Sequence, residues 1–211
     1  MRAEVCILFC LKSGDRSGIM EKVRNGDQEE MDLFSEALLS EKTDKIPDTF
    51  DWFAPLIGDW ACDYFDEPEK GRKRHVAGEW IFRRILEGTG IQDVFIFPSR
   101  ATKITDPQPD GEYGTSLRMY NGEKGCYDVV YTCERCMKRL TFTRQEDRLV
   151  GQVLDEKNAF WVFSDITQDQ FHWENLLIRE DGTKELVCEI FGKRIGYASN
   201  GSTINMRKPL K

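Results

Sequence analysis

The chain has 211 residues, 40% of them hydrophobic, and a formal net charge of −7 at pH 7. The acidic balance argues against a partner that is nucleic acid or an anionic membrane surface. No apolar run approaches the ~20 residues that a membrane-spanning helix needs. We therefore expect a soluble protein without a membrane or nucleic-acid partner, of a length that suits one β-barrel or two smaller domains.

Seven cysteines, an odd number, are scattered along the chain. Their spacing does not resemble the disulfide framework of a small secreted domain, so free thiols in a reducing cytoplasm are the better interpretation. We therefore expect a cytoplasmic location. The cysteines are Cys6, Cys10, Cys62, Cys126, Cys133, Cys136 and Cys188.

The first residues of the sequence contain an apolar run, Val5–Leu11, at the lower limit for the core of a signal peptide. No cleavage site of small residues follows it. Arg16–Ser17–Gly18 lies shortly before Met20, as the translated purine-rich codons of a ribosome-binding site would. We therefore expect Met20 to be the natural first residue, with residues 1–19 upstream of it.

Two helical segments are predicted before the strands begin. Residues 27–40 have apolar residues at helical spacing and acidic residues in the first turn. The polar stretch 41–49 predicts a loop, and residues 50–57 predict a short helical turn with one apolar face that can close one end of a barrel. The apolar residues of the two segments are Met31, Phe34, Leu38, Leu39, Phe50, Phe53, Leu56 and Ile57. We assign residues 1–49 to an N-terminal leader and helix.

From Trp60 onward the apolar residues recur at a spacing of two, which is typical of strands. The breaks between the runs are short and carry turn residues, apart from one longer loop at Pro98–Gly111. Strands joined by short turns pair antiparallel, and closure into a barrel removes the two exposed edges. The predicted strands are 59–66, 73–86, 89–97, 113–120, 125–133, 136–144, 147–154, 158–165, 169–178 and 184–193.

The predicted fold class is therefore all-β, a closed antiparallel meander barrel of about eight to ten strands with short N-terminal helices. The barrel is assigned to residues 50–198. Residues 199–211 are polar and are assigned to a C-terminal tail.

The tripeptide Gly58–Asp59–Trp60, between the short helical turn and the first strand, resembles the Gly-x-Trp signature of lipocalins and the wider calycin group. Further similarity to lipocalin-like bacterial families of unknown function lies in Ile85–Phe95, Ser116–Asn121, Trp161–Thr167 and Phe171–Trp173. The resemblance covers roughly residues 50–195. The chain differs from secreted lipocalins because it has neither a clear export signal nor a paired-cysteine pattern.

The resemblance implies a structural role for the signature residues. In that pattern the tryptophan, here Trp60, lies at the closed end of the barrel beside the glycine, here Gly58. An arginine from a late strand covers the tryptophan, which implies Arg194, with Arg83 or Arg84 as alternatives. The resemblance also implies an interior that binds a small molecule.

Candidate ligand-binding residues are aromatic or polar residues on otherwise apolar strands. They are Glu79, Trp80, Gln92, Arg118, Tyr120, Trp161 and Trp173. The alternative for each polar residue is the outer, solvated face, where alternating polar residues usually lie. Arg118 is the leading candidate, since a guanidinium at a barrel rim can bind a carboxylate or phosphate through two parallel hydrogen bonds.

The remaining motifs leave several alternatives open. Cys133 and Cys136 flank a two-residue turn and are incidental thiols, a conditional disulfide or half of a zinc site. His75 and His172 are possible axial ligands of a haem, or surface histidines. The basic run Lys70–His75 is an anion site or a solvated strand start. No nucleophile elbow of a hydrolase is present, so we predict no catalytic residues, no metal site and no cofactor other than a haem.

Three functions fit these patterns. The first is a small-molecule-binding barrel without catalysis. The second is an enzyme, such as an isomerase, a cyclase or a haem-assisted detoxifier, that uses the same cavity. The third is a structural module with a packed core and a helix that forms a homodimer.

Overall fold

The computed structural model describes residues 32–195. The expectations for the first residues of the chain, for Cys6 and Cys10, for most of the predicted 27–40 helix and for the 199–211 tail lie outside the described residues. Within them, no helix is long and apolar enough to cross a membrane.

The prediction of an all-β, closed antiparallel meander barrel is confirmed, with ten strands that each pair with their neighbours in sequence. The barrel closes where the first strand pairs with the last. The strands are β1 (Gly58–Glu69), β2 (Arg72–Ile85), β3 (Gly90–Phe97), β4 (Glu112–Asn121), β5 (Cys126–Thr132), β6 (Met137–Gln145), β7 (Arg148–Val153), β8 (Ala159–Ser164), β9 (Gln170–Ile178) and β10 (Lys184–Arg194).

The predicted N-terminal helix ends earlier than expected. In the described residues α1 covers Leu33–Leu38, and Leu39 instead forms an isolated antiparallel bridge with Ile85. Backbone hydrogen bonds from Ser40 and Leu86 extend this contact. Pairing with the end of β2 therefore replaces the last helical turn that the apolar spacing predicted.

The first strand extends beyond its predicted limits of 59–66. β1 continues through Pro68 to Glu69, and the chain turns instead at Lys70–Gly71. The register of the β1–β2 pair shifts between Asp66 and Glu69. An irregularity of this kind accommodates a proline, because proline has no N–H to donate to the ladder.

The residues before β1 close one end of the barrel. Two 3₁₀ turns, Asp48–Phe50 and Ala54–Leu56, place Phe53 and Leu56 in the interior, both fully buried. The hydroxyl of Tyr127 on β5 donates to the backbone oxygen of Phe50 at 2.8 Å. We call this segment, residues 48–57, the floor.

Aromatic rings fill much of the interior above the floor, and glycines on neighbouring strands make room for them. A Cβ atom added at each of three inward glycines would lie within 2.7 Å of a ring atom. A strand position without a side chain lets a ring from the next strand lie flat against the backbone. The three pairs are Gly114 with Tyr131, Gly151 with Phe142 and Gly192 with Phe171.

Candidate ligand-binding cavity

A cavity of about 470 Å³ occupies the barrel on the side opposite the floor. It reaches the surface beside the β3–β4 loop and the β5–β6 turn, where exposed Asp110 and Cys136 line it. Seven of its eighteen lining residues are aromatic. The aromatic lining residues are Tyr64, Trp80, Phe95, Phe97, Tyr131, Trp161 and Trp173.

Strand alternation and register bring the three lining tryptophans together. Trp80 on β2 pairs with Trp60 and Phe95, so these side chains share the inner face. Trp173 and Trp161 lie on adjacent strands, β9 and β8, with ring centroids 5.6 Å apart. The rings of Trp80 and Trp173 are 5.8 Å apart and nearly perpendicular, at 80°. The predicted residues Trp80, Trp161 and Trp173 therefore line one cavity.

Two of these tryptophans present unused hydrogen-bond donors. Trp80 is 5% exposed and Trp173 is 7% exposed, and the indole N–H of each is buried without a partner among the described residues. Such a group usually finds a partner, because burying a donor without one costs roughly 1–3 kcal/mol. Trp52, which lies in the floor, satisfies its own indole N–H with the backbone oxygen of Thr49. Among the five tryptophans, all of them in the described residues, the two whose buried indole N–H lacks a partner both line the cavity.

Polar groups near the cavity mouth are linked to aromatic hydroxyls. Tyr131 donates its hydroxyl to the carboxylate of Glu112, and Tyr64 donates to Asp66 at 3.0 Å. Burial raises the pKa of Glu112, although the bond from Tyr131 and the nearby Arg135 act in the opposite direction. Glu112 is thus a carboxyl that the barrel holds partly out of water.

We expect Glu112→Gln to make stability less dependent on pH. Burial raises the folded-state pKa of Glu112 above its ordinary value of 4.5, so the folded protein binds this proton more tightly than the unfolded chain. That stabilisation is complete below pH 4.5 and is lost as the pH rises through the folded-state pKa. The variant should therefore gain stability relative to the wild type as the pH rises above 4.5 and through the folded-state pKa.

Urea unfolding of both proteins at a series of pH values measures this difference. Tyr131→Phe is a useful companion variant, because it removes the hydroxyl that favours the ionised carboxylate of Glu112. Its stability should depend on pH more steeply than that of the wild type, whereas the stability of Glu112→Gln should depend on pH less steeply. If the difference in unfolding free energy between the wild type and Glu112→Gln stays constant with pH, the raised pKa of Glu112 is contradicted.

Arg118 was expected at the rim, but it lies deep inside the barrel beside the floor. Its side chain is 1% exposed and forms an ion pair with Asp93 on β3, which is 0% exposed. The guanidinium carbon lies 5.1 Å from the centroid of the Phe53 ring. Arg118 does face inward, as the alternation of β4 predicts. Its position along the barrel axis, however, is near the closed end and not at the rim. It does not line the cavity.

Three other predicted ligand-binding residues also lie away from the cavity. Glu79 is on the outer face, because Trp80 takes the inner one, and it bonds both the guanidinium and the backbone N–H of Arg100. Gln92 is on the outer face and bonds Thr115 at 3.1 Å. Tyr120 faces inward but packs on Phe50 at the floor, with ring centroids 5.2 Å apart.

The Gly-x-Trp segment forms a contact between the first and last strands. Trp60 is fully buried and donates its indole N–H to the backbone oxygen of Leu56 at 2.7 Å. The guanidinium carbon of Arg194 lies 4.1 Å from the Trp60 ring centroid, and Arg194 donates to the backbone oxygen of Ile57 at 2.7 Å. Gly58 has φ +137°, and a Cβ there would lie 2.2 Å from Arg194 Nη1. Glycine is therefore required for the arginine to reach the floor.

The alternatives for this arginine have other partners. Arg83 on the outer face bonds Asp59 at 2.6 Å, and Arg84 bonds Asp51 at 2.6 Å. Neither contacts the Trp60 ring as Arg194 does.

The histidines lie outside the cavity. His75 contacts Asp63 and His172 contacts Glu189, each at 2.8 Å. The His172 ring also stacks on Phe191 with centroids 4.4 Å apart. A haem in this cavity would therefore have no histidine to bind its iron. In residues 32–195, no cluster of three or more potential metal-ligating side chains is found.

The basic run at the start of β2 borders a second surface groove rather than the cavity. Arg74 is bound on both sides by carboxylates, to Asp66 and to Asp110 at 2.7 Å. These two carboxylates neutralise the charge of the Arg74 guanidinium.

Several lining residues were not predicted, although the sequence carries a signal for some of them. Phe95 and Phe97 alternate on β3 and follow from the same period of two that identified the strand. Tyr64 and Tyr131 could not be assigned, because alternation gives the face of a strand and not the height above the floor. The cavity therefore depends on strand register, which the sequence alone does not provide.

No protein-family model matches the chain, and no curated protein matches its sequence. Among solved structures, the S-type phycobiliprotein lyase from Guillardia theta is similar, with a TM-score of 0.46 and 11% identity. The match covers 69% of this chain and 92% of the lyase. The observed strand pairing itself defines the fold as a closed ten-stranded antiparallel meander barrel.

Proposed function

We propose that the protein binds a small, planar, partly apolar molecule inside the barrel, as a lipocalin-like binding protein. The observation that carries the proposal is the aromatic cavity with two unpaired indole donors, Trp80 and Trp173. Its volume, about 470 Å³, lies within the range of small-molecule sites, roughly 300–1,000 Å³. A cavity of this size supports ligand binding over a purely structural module with a packed core.

The lining indicates the chemistry of the ligand. The Trp161 ring contacts Tyr131 and Trp173 edge to face, with centroids 5.2 and 5.6 Å apart, and the three rings leave aromatic surface for a planar group. The unpaired donors require an acceptor, such as a carbonyl or ether oxygen, on the buried part of the ligand. The proposed ligand is therefore an aromatic or conjugated molecule whose inner end accepts hydrogen bonds.

The five described cysteines are free thiols, which supports a cytoplasmic location as part of this proposal. Native mass spectrometry of protein purified from its own host tests the proposal directly. We expect a retained small molecule in the native spectrum that is released on denaturation. A spectrum of the bare chain, together with no binding of aromatic probes to the purified protein, would overturn the proposal.

Replacing either donor by phenylalanine should weaken the binding of a planar aromatic probe. Trp80→Phe and Trp173→Phe each keep a ring and remove one N–H, and a neutral hydrogen bond contributes about 0.5–1.5 kcal/mol, or roughly 2- to 13-fold in affinity. The probe is anilinonaphthalene sulfonate, which carries acceptor oxygens, and its affinity is measured by fluorescence titration.

Trp52→Phe is the matched control, since Trp52 lies in the floor and bonds Thr49. We expect its affinity for the probe to equal that of the wild type. If all three variants bind the probe equally well, the two indole donors take no part in recognition.

A further inference from the structure

The β5–β6 turn at the cavity mouth holds two reduced thiols in contact. Cys133 and Cys136 flank the turn residues Glu134 and Arg135, and the backbone N–H of Cys133 donates to the oxygen of Cys136 at 2.9 Å. Their sulfur atoms are 3.5 Å apart. The backbone thus already holds the two side chains on the same side of the turn.

This pair differs from the other described cysteines in accessibility. Cys136 is exposed and Cys133 is partly exposed, whereas Cys62, Cys126 and Cys188 are buried. Burial raises the pKa of all three buried thiols, which makes them poor nucleophiles. Only the pair at the turn, among the cysteines of residues 32–195, combines contact between sulfurs with access to solvent.

The surroundings of the two thiols are asymmetric. Burial opposes ionisation of Cys133, but hydrogen bonds from the backbone of Arg135, from the Cys136 thiol and from the Cys136 backbone outweigh it and lower its pKa. Burial and the adjacent Cys133 raise the pKa of Cys136 to about 11. Cys133 is therefore the better nucleophile, while Cys136 is held as a thiol beside it.

We propose that Cys133 and Cys136 form a reversible thiol–disulfide exchange site at the mouth of the cavity, which reacts with low-molecular-weight disulfides. The Cys133 thiolate attacks one sulfur of the small disulfide, forms a mixed disulfide and expels the other half as a thiolate. Cys136 then loses its proton and attacks Cys133, which releases the second half as a thiolate. Two cysteine thiols are oxidised and one disulfide is reduced to two thiols.

Closing the protein disulfide requires only a small movement. An S–S bond is about 2.05 Å long, so the sulfurs approach by about 1.5 Å from their present distance of 3.5 Å. The turn is exposed, and Arg135 connects it to the β3–β4 loop through the backbone oxygens of Asp110 and Gly111. Because Cys136 also lines the cavity, the redox state of the pair changes a surface that a ligand passes.

Purified full-length protein treated with oxidised glutathione tests the site. After free thiols are blocked by alkylation, peptide mapping by mass spectrometry should find a bridge between Cys133 and Cys136 that dithiothreitol reverses. Cys136→Ser removes the second step, so glutathione should accumulate on Cys133. Cys133→Ser removes the nucleophile, so the adduct should fail to form at Cys136 in the same time.

Cys126→Ser is the matched control, because Cys126 is a buried cysteine at the other end of β5, and it should form the bridge as the wild type does. A bridge between other cysteines, an adduct on Cys136 instead of Cys133, or no reaction would each overturn the proposal. Alkylation rates in the wild type give an independent reading, since Cys133 should be labelled faster than Cys136.

Discussion

Trp60→Ala is expected to lower the free energy of unfolding by about 3–5 kcal/mol, the range for emptying a large buried side chain. Trp60 is 0% exposed and contacts the Phe171 ring, with centroids 4.9 Å apart. It also bonds Leu56 in the floor and lies beneath the guanidinium of Arg194. The substitution therefore creates a cavity and removes the contact that joins the floor, β1 and β10.

Thermal and urea unfolding measure the loss. A decrease of this size corresponds to roughly 6–20 °C in melting temperature for a chain of this length. Trp60→Phe is the matched control, since a ring remains beneath Arg194, and its loss should be clearly smaller. Unchanged unfolding of Trp60→Ala would mean that the floor does not depend on this residue.

Arg118→Met is expected to be equally damaging, at about 3–5 kcal/mol, because it leaves a buried carboxylate without its counter-ion. Asp93 and Arg118 are both fully buried and bonded to each other. After the substitution, the bond from the backbone N–H of Ser116, at 3.1 Å, is all that the Asp93 carboxylate keeps among the described residues. The cost comes mainly from the charge that remains, because methionine fills much of the space of the arginine.

A double-mutant cycle separates charge from packing. Asp93→Asn alone leaves the guanidinium buried and should also destabilise the protein. The double variant Arg118→Met with Asp93→Asn removes both charges and keeps an oxygen for Ser116, so most of the loss should be recovered. Losses that simply add in urea unfolding would show that the ion pair is not the source of the effect.

The position of Arg118 shows what strand alternation can and cannot predict. Alternation correctly predicts that Arg118 and Tyr120 lie on the same face of β4, and in the structure this face turns inward. It does not give the height along the barrel, so a residue expected at the rim lies beside the floor. The counter-ion Asp93 was missed for the same reason, because pairing it with Arg118 requires the β3–β4 register.

Element boundaries were easier to predict than the site. The ten strands begin and end within a few residues of their predicted limits, because short turns and the period of two constrain both ends. The predicted end of the helix at residue 40 is wrong, since local spacing does not anticipate the bridge between Leu39 and Ile85. Glu79 illustrates the same limit, since its role as an anchor for Arg100 depends on a loop contact that the sequence does not reveal.

The pairing of β1 with β10 has a consequence for synthesis on the ribosome. Arg194 bonds Ile57, 137 positions earlier in the chain, so the contact that covers Trp60 forms only after β10 has left the exit tunnel. Until then β1 and β9 each present an unpaired edge, which other chains can pair with. A nascent chain that stops before β10 therefore exposes two edges and an uncovered tryptophan together, the kind of surface that chaperones and proteases recognise.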